Sequence, residues 1–521
     1  MNRSIPSSWM LLAALLLAAT VGAQTFAGKI VGRVVDSQQT AIPNAGVTLR
    51  NLEREFKRHT VANAQGEYTF ELVPPGTYTV LMDHEGFAPN AVDVEVVVAT
   101  TVRVDMTLGI QPVQQEVRVV GESGVAVQTE NAGLGRVVST HEITELPSLG
   151  RSLYDFIAIM PGASLSNDAL GVGYAVNGGR TQSVNYLLDG SENNEISMSA
   201  PAMDVPLDSI QELNIQTNHF SAEYGRNSAF TANIATKSGT NDFHGSLYDY
   251  VRNSAFAANT FDNNAHGLPR PVFNRHQFGG TAGGPLRKGK LFYFVSAEGI
   301  VVRSSGPTSF FVPTPDLLAI SAPGTQAIFE RFPLPTNLSS TNVKRETLCP
   351  FAVSCDAHTG AGYIRIPAFA YTTRIGPQDF GAGTPQNTIL ATGRLDWIAG
   401  PKTQAFLRYA VDNGNEFAIA QQPYSTELDQ PLYGHNQNAS INIIRTWSPR
   451  FATESRVAYS RVTGDPERFG GDAYSVPKPP FPWFYIQNET VSLPAGTMEP
   501  SAQPMAISSF KAQHILGADT L

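Results

Sequence analysis

The 521-residue chain is poor in charge, in cysteine and in long apolar runs. Only 16% of its residues are charged, and 45 Asp and Glu outnumber 36 Lys and Arg for a net charge of −9. No basic run breaks that acidic balance. A grip on nucleic acid is therefore excluded, because phosphate binding rests on clustered positive charge. Beyond the first two dozen residues no segment approaches the roughly 20 apolar residues that a spanning helix needs. The two cysteines, Cys349 and Cys355, stand close enough for a small loop disulfide, and equally for two unpaired thiols in a variable loop.

Motifs for chemistry are lacking too. His141-Glu142-Ile143-Thr144-Glu145 has Glu145 where a zinc protease needs its second histidine, and it reads as an extended surface turn. Gly171-x-Gly173 is followed by Val176 where a dinucleotide loop needs glycine. No catalytic residue, metal or cofactor is assigned, and the chain is read as a protein that is not an enzyme.

What is present is a leader and many turns. Arg3, the apolar stretch Trp9–Ala19 and the small pair Gly22-Ala23 form a secretory signal pattern over residues 1–23, with cleavage expected near Ala23. The 45 Gly and 35 Pro punctuate short strands rather than long helices. Between residues 27 and 108 about seven runs alternate in polarity, among them Ile30–Asp36, Gly46–Leu49, Tyr68–Phe70, Tyr78–Leu81 and Val92–Val96. Turn signals separate them, so this stretch predicts a β-sandwich.

Gly32-x-Val34-x-Asp36, Pro43-x-Ala45-x-Val47-x-Leu49, Gly66-x-Tyr68-x-Phe70 and Pro75-Gly76-x-Tyr78-x-Val80 resemble the carboxypeptidase regulatory-like domain. That resemblance implies a non-catalytic binding or spacer module. Residues 124–239 carry Val184-Asn185-Tyr186-Leu187-Leu188-Asp189-Gly190, Ala222-Glu223-Tyr224-Gly225-Arg226 and Thr236-Lys237-Ser238-Gly239-Thr240-Asn241, which together resemble the plug domain of TonB-dependent outer-membrane receptors of the Oar-like branch. The resemblance implies a scaffold role for Asp189 and Glu223, in turn or lumen contacts rather than as an acid and base pair. Between sandwich and plug, the linker 112–123 holds Glu116-Val117-Arg118-Val119-Val120, an alternating extended segment that can add as a strand to a partner's sheet edge. In that position the resemblance implies a TonB box.

From residue 241 to 521 the pattern is that of a membrane barrel, with segments of about 10 residues alternating in polarity. Ile389, Ala391, Gly393, Leu395 and Trp397 alternate with Leu390, Thr392, Arg394 and Asp396, predicting a lipid face and a lumen face, and a turn at 399–402 leads to a partner strand. Further strands are expected at 243–252, 273–284, 290–300, 438–448 and 451–463, with Trp397, Tyr409, Trp447 and Tyr459 as interface aromatics. Residues 302–388, rich in proline and without sustained alternation, read as a long outward loop in which Phe310, Phe311 and Tyr363 are available to cargo. Plugged transporters have about 22 strands of about 10 residues, which these residues cannot supply. The expectation is therefore the front part of a longer barrel.

The fold class predicted is mainly β: an N-terminal β-sandwich, an α+β plug domain and an incomplete antiparallel transmembrane β-barrel. The function predicted is TonB-dependent uptake across the cell outer membrane, with TonB, outer-membrane lipid and an extracellular siderophore, glycan, peptide or protein as partners. The rival reading is a secreted adhesin or carbohydrate-binding β protein.

Overall fold

A computed structural model describes residues 26–110, 117–119, 134–464 apart from short interruptions of which 417–431 is the longest, and 510–520. The signal pattern of residues 1–23 lies outside the described residues, as do Glu116, Val120 and Glu223.

The first unit is made of β1 (Gly28–Asp36), β2 (Gly46–Asn51), β3 (Lys57–Val61), β4 (Glu67–Val73), β5 (Gly76–Asp83), β6 (Asn90–Val96), β7 (Thr101–Arg103), β8 (Met106–Leu108) and β9 (Val117–Val119). One sheet has β1 at its centre, antiparallel to β4 and parallel to β7 and β8. The other runs β3-β2-β5-β6-β9, with β9 parallel to β6. Alternation in the strands sends Ile30, Val34, Val47, Leu49, Tyr68, Phe70, Tyr78, Val80 and Leu108 into one apolar core between the sheets. Its polar atoms are spoken for: Tyr68 donates to the Val104 carbonyl at 2.7 Å and Tyr78 to that of Pro74 at 2.8 Å. Gly32 permits the first of these, since a Cβ there would sit 1.9 Å from the Val104 oxygen.

The second unit, which carries the plug-like motifs and is called the plug below, has β10 (Leu134–Ser139), β11 (Ala163–Asp168), β12 (Gly171–Val176), β13 (Val184–Leu188), β14 (Ser191–Glu192), β15 (Ile210–Asn218) and β16 (Phe230–Thr236). Its main sheet is ordered β10-β15-β16-β13-β14, and β11 pairs with β12 as a separate hairpin. Every residue of β13 and β16 is buried, as expected of central strands that pair in parallel, although Asn185, Thr231, Asn233 and Thr236 break the apolar run. Residues 140–145, expected as an extended turn, form a short helix instead. Ser139 caps it and Glu142 returns the bond to the Ser139 N–H, a capping box that motif reading for zinc ligands passes over.

The third unit is one antiparallel sheet: β17 (His244–Asn253), β18 (Val272–Arg287), β19 (Leu291–Pro313), β22 (Gln386–Gly400), β23 (Thr403–Glu416), β24 (Leu432–Ser448), β25 (Phe451–Gly464) and β26 (Phe510–Thr520), joined in that order. Among the described residues β17 and β26 do not pair with each other, so the wall stays open. In β22, Ile389, Leu395 and Trp397 are exposed while Leu390, Thr392, Arg394 and Asp396 are buried. In β23, Leu407 and Tyr409 are exposed while Phe406 and Arg408 are buried. Trp397 and Trp447 lie beside the short turns, both about half exposed on the outer face.

The 302–388 segment is not a featureless loop. β19 has 23 residues, which at about 3.3 Å each extend roughly 75 Å, more than twice the thickness of a bilayer core. Its first half pairs with β22, and its second half, Ser305–Pro313, pairs with β21 (Ile364–Pro377), which in turn pairs with β20 (Val343–Leu348). A crown therefore stands on the wall at the end away from the short turns. Alternation is weak here because these strands, paired above the wall, have no continuous apolar face to maintain. Cys349 and Cys355, 5.8 Å apart at Cα, are joined by a disulfide beyond the end of β20. Phe310 is 4% exposed, so it packs within the crown rather than facing cargo, whereas Tyr363 is half-buried.

Candidate latch and coupling segment

Between β13 and β14 the chain must reverse, and Asp189 and Gly190 do this with φ of 49° and 72°. Asparagine, aspartate and glycine are the residues that tolerate such backbone. The Asp189 N–H donates to the Ile234 carbonyl at 2.8 Å. Its carboxylate accepts from the Thr236 N–H at 2.9 Å and from the Thr236 hydroxyl at 2.8 Å. The plug thus holds one anion rigidly, fully buried, at the end of its central strands.

The wall meets that anion with cations. Arg394 of β22 donates through Nη1 to Asp189 Oδ1 at 3.2 Å, and Arg408 of β23 brings Nε to 3.0 Å from Oδ2. Arg408 also donates to the Leu188 carbonyl at 3.3 Å and to Asn438 Oδ1 of β24 at 2.6 Å. Arg456 of β25 donates to the Gly190 carbonyl at 2.6 Å and is ion-paired with Glu454. A Cβ on residue 190 would lie 2.5 Å from the Arg456 guanidinium, so glycine is needed twice over, for the turn and for the approach. Asp396 neutralises Arg394 through two parallel bonds of 3.0 Å. The three wall arginines are each paired with or hydrogen-bonded beside one of the carboxylates Asp189, Asp396 and Glu454, which is how buried ions offset their desolvation.

A second seam lies further along the wall. Arg151 of the plug, at φ 47°, is ion-paired with Asp208 at 2.7 Å and lies 3.6 Å over the ring of Tyr250 on β17. Arg275 of β18 donates to the Gly150 carbonyl at 2.5 Å.

Of the sequence-predicted box, the backbone of Val117, Arg118 and Val119 is described as β9, in register with Asn90, Ala91 and Val92 of β6. β9 is the last strand of its sheet, with one edge facing β6 and no other described strand on the opposite edge. Asp189 sits at the latch. In the sequence Arg394 stands at a lumen-facing position of its strand, and Arg456 carries no motif. The available signal was a set of cations on the inward side of successive wall strands opposite a plug aspartate.

The outer membrane beta barrel domain model matches residues 235–510, and the carboxypeptidase regulatory-like domain model matches residues 29–109. The TonB-dependent transporter Oar of Myxococcus xanthus is 28% identical over 310 residues. The match covers 56% of this chain and 28% of that protein, so the chain spans well under half the length of this relative. Among solved structures, the outer-membrane transporter YddB of Escherichia coli aligns with a TM-score of 0.40 at 9% identity, over 63% of this chain and 39% of that one. The ferric enterobactin receptor PfeA of Pseudomonas aeruginosa aligns with a TM-score of 0.40 at 14% identity, over 64% and 42%.

Proposed function

The chain belongs to the outer membrane beta barrel domain family and lies in the outer membrane, and from that premise we propose that it is a TonB-dependent receptor of Oar type that takes part in energised uptake of an extracellular ligand. The ligand is captured on the side of the crown. The periplasmic protein TonB takes hold of the Glu116–Val120 segment by strand addition. Pulling then draws the plug's Asp189 turn from its arginines and opens a path between plug and wall.

The observation that carries this reading is the chemistry of the latch. A seam held by hydrogen-bonded ions is directional, and its partners return to the same places after parting. An apolar seam would instead expose its surface to water at each cycle. A protein whose centre must leave its wall and return is served by the first kind.

The test is Val119→Pro, which removes one main-chain donor from the segment. Crosslinking to TonB in outer membranes is expected to fall, together with ligand uptake. Crosslinking at the wild-type level in this variant would sink the assignment of the box.

A further inference from the structure

The sandwich does not hang free of the latch. β6 ends at Val96, and two residues later the fully buried Val98 is held from both sides by plug strand β15. Its N–H donates to Glu212 Oε1 at 2.5 Å, and its carbonyl accepts from Asn214 Nδ2 at 2.8 Å. Glu212 and Asn214 are two apart on one strand and so share a face. Phe26, ahead of β1, is 2% exposed and packs with Val98, with Ala235 of the plug and with Phe406 of the wall. Its ring meets that of Phe406 edge-on at 5.5 Å, and the Arg394 guanidinium lies 5.6 Å from one ring and 4.1 Å from the other. From the β2–β3 turn, Arg54 reaches Asp396 at 3.8 Å, and the Glu53 carbonyl accepts from the Asn241 N–H at 3.1 Å. Phe56 packs against Phe292 and Ile398 of the wall. The first unit therefore touches Arg394 and Asp396, two of the groups that hold Asp189.

We propose that the N-terminal sandwich is a lock on the plug: it clamps plug strand β15 through the Val98 peptide and braces the Arg394–Asp396 pair through Phe26 and Arg54, so that the plug is released only when the sandwich shifts. A spacer module would need none of these contacts. The topology also joins the lock to the coupling segment, because β9 pairs with β6 and β6 leads into Val98. A pull on β9 loads the clamp through the strand ladder as well as the plug through the covalent linker. That last step rests on the uptake reading above, whereas the lock itself rests on the contacts alone. Burial pushes the Glu212 carboxyl up to about 8, with Glu95 adding in the same direction. A neutral carboxyl at this depth can accept the Val98 bond without stranding a charge.

The experiment is hydrogen exchange by mass spectrometry on the full chain purified in detergent, without ligand and without TonB. The double variant Phe26→Ala/Arg54→Ala and the single variant Glu212→Leu are compared with Glu212→Gln, which keeps an acceptor oxygen. Plug peptides covering 184–192, 210–218 and 230–236 are expected to exchange faster by roughly tenfold or more in the first two, the loss that follows when buried partners are removed. Glu212→Gln and the wall strands β18 and β19 are expected to stay at wild-type rates. Should Glu212→Leu not fold, the double variant decides. Plug exchange that is unmoved while proteolysis of the linker rises would show a sandwich released without consequence and would overturn the lock. Since the assay contains no TonB, faster exchange alongside undiminished crosslinking of Val119→Pro would keep the lock and remove the box assignment.

Discussion

The sandwich and the plug–wall seam solve the same problem, holding two surfaces together, with opposite chemistry. Between its sheets the sandwich puts apolar side chains such as Val47, Leu49, Phe70 and Val80, and pairs its tyrosine hydroxyls with main-chain carbonyls. Across the seam the plug offers Asp189 and the wall offers Arg394, Arg408 and Arg456. Apolar burial is non-directional and stabilises whatever excludes water. A buried ion network is close to neutral in net stability but very costly to leave half made. The difference separates an interface that accepts any close apolar fit from one whose partners are satisfied in a single geometry.

The largest expected effect comes from breaking one side of the seam. Asp189→Ala takes from Arg408 the carboxylate it faces while Arg394 keeps Asp396, and should cost about 3–5 kcal/mol of plug docking. Denaturant titration of the full chain in detergent, followed by exchange at β13 and β16, measures it. Asp189→Asn keeps an acceptor for Thr236 and tolerates the turn, so a smaller loss is expected. Leu49→Ala in the sandwich core should cost about 2–5 kcal/mol by transfer and cavity terms. In that variant the sandwich should melt earlier while wall strands keep their protection, whereas simultaneous loss of both would show that the two regions are one cooperative unit.

A pH series sharpens the contrast between them. The folded state keeps the Glu212 proton up to about 8, above the ordinary carboxylate value of 4.5, because of burial and the neighbouring Glu95. Stability from this group is therefore full below about 4.5, falls as pH rises, and levels off beyond about 8. Protection of β15, taken relative to the intrinsic base-catalysed exchange rate, should fall between about pH 4.5 and about pH 8, and Glu212→Gln should flatten that slope. The smallest effect is Tyr68→Phe, which orphans the buried Val104 carbonyl and should lower sandwich stability by about 1 kcal/mol.

Much of the wall was legible because lipid and lumen impose a period of two on every strand, as Ile389–Trp397 shows. The crown was not, since Ser305–Pro313 and Ile364–Pro377 pair with each other outside any apolar phase. Asp189 could be placed in the plug by motif, but its arginine partners lie more than 200 residues away on the chain. Arg394 and Arg408 look, in sequence, like any other inward polar residues. Val98 and Glu212 carry no local sign at all, because the Val98 bond is made by main chain, which every residue offers. The helix 140–145 was missed for a different reason: a search for a second histidine draws attention from the Ser139 and Glu142 pair that sets its start.

The crown disulfide and the sandwich mark opposite ends of the wall, since β19 starts at Leu291 beside Phe292, which packs on Phe56, and runs on into the crown that carries Cys349 and Cys355. The molecule thus bears its own orientation label. In intact cells treated with a mild reductant, a thiol reagent too large and polar to cross the outer membrane should find these two sulfurs only when the crown faces outward. A cysteine placed on the sandwich should remain silent until the envelope is breached. One gel, with and without lysis, would then read which way the protein faces.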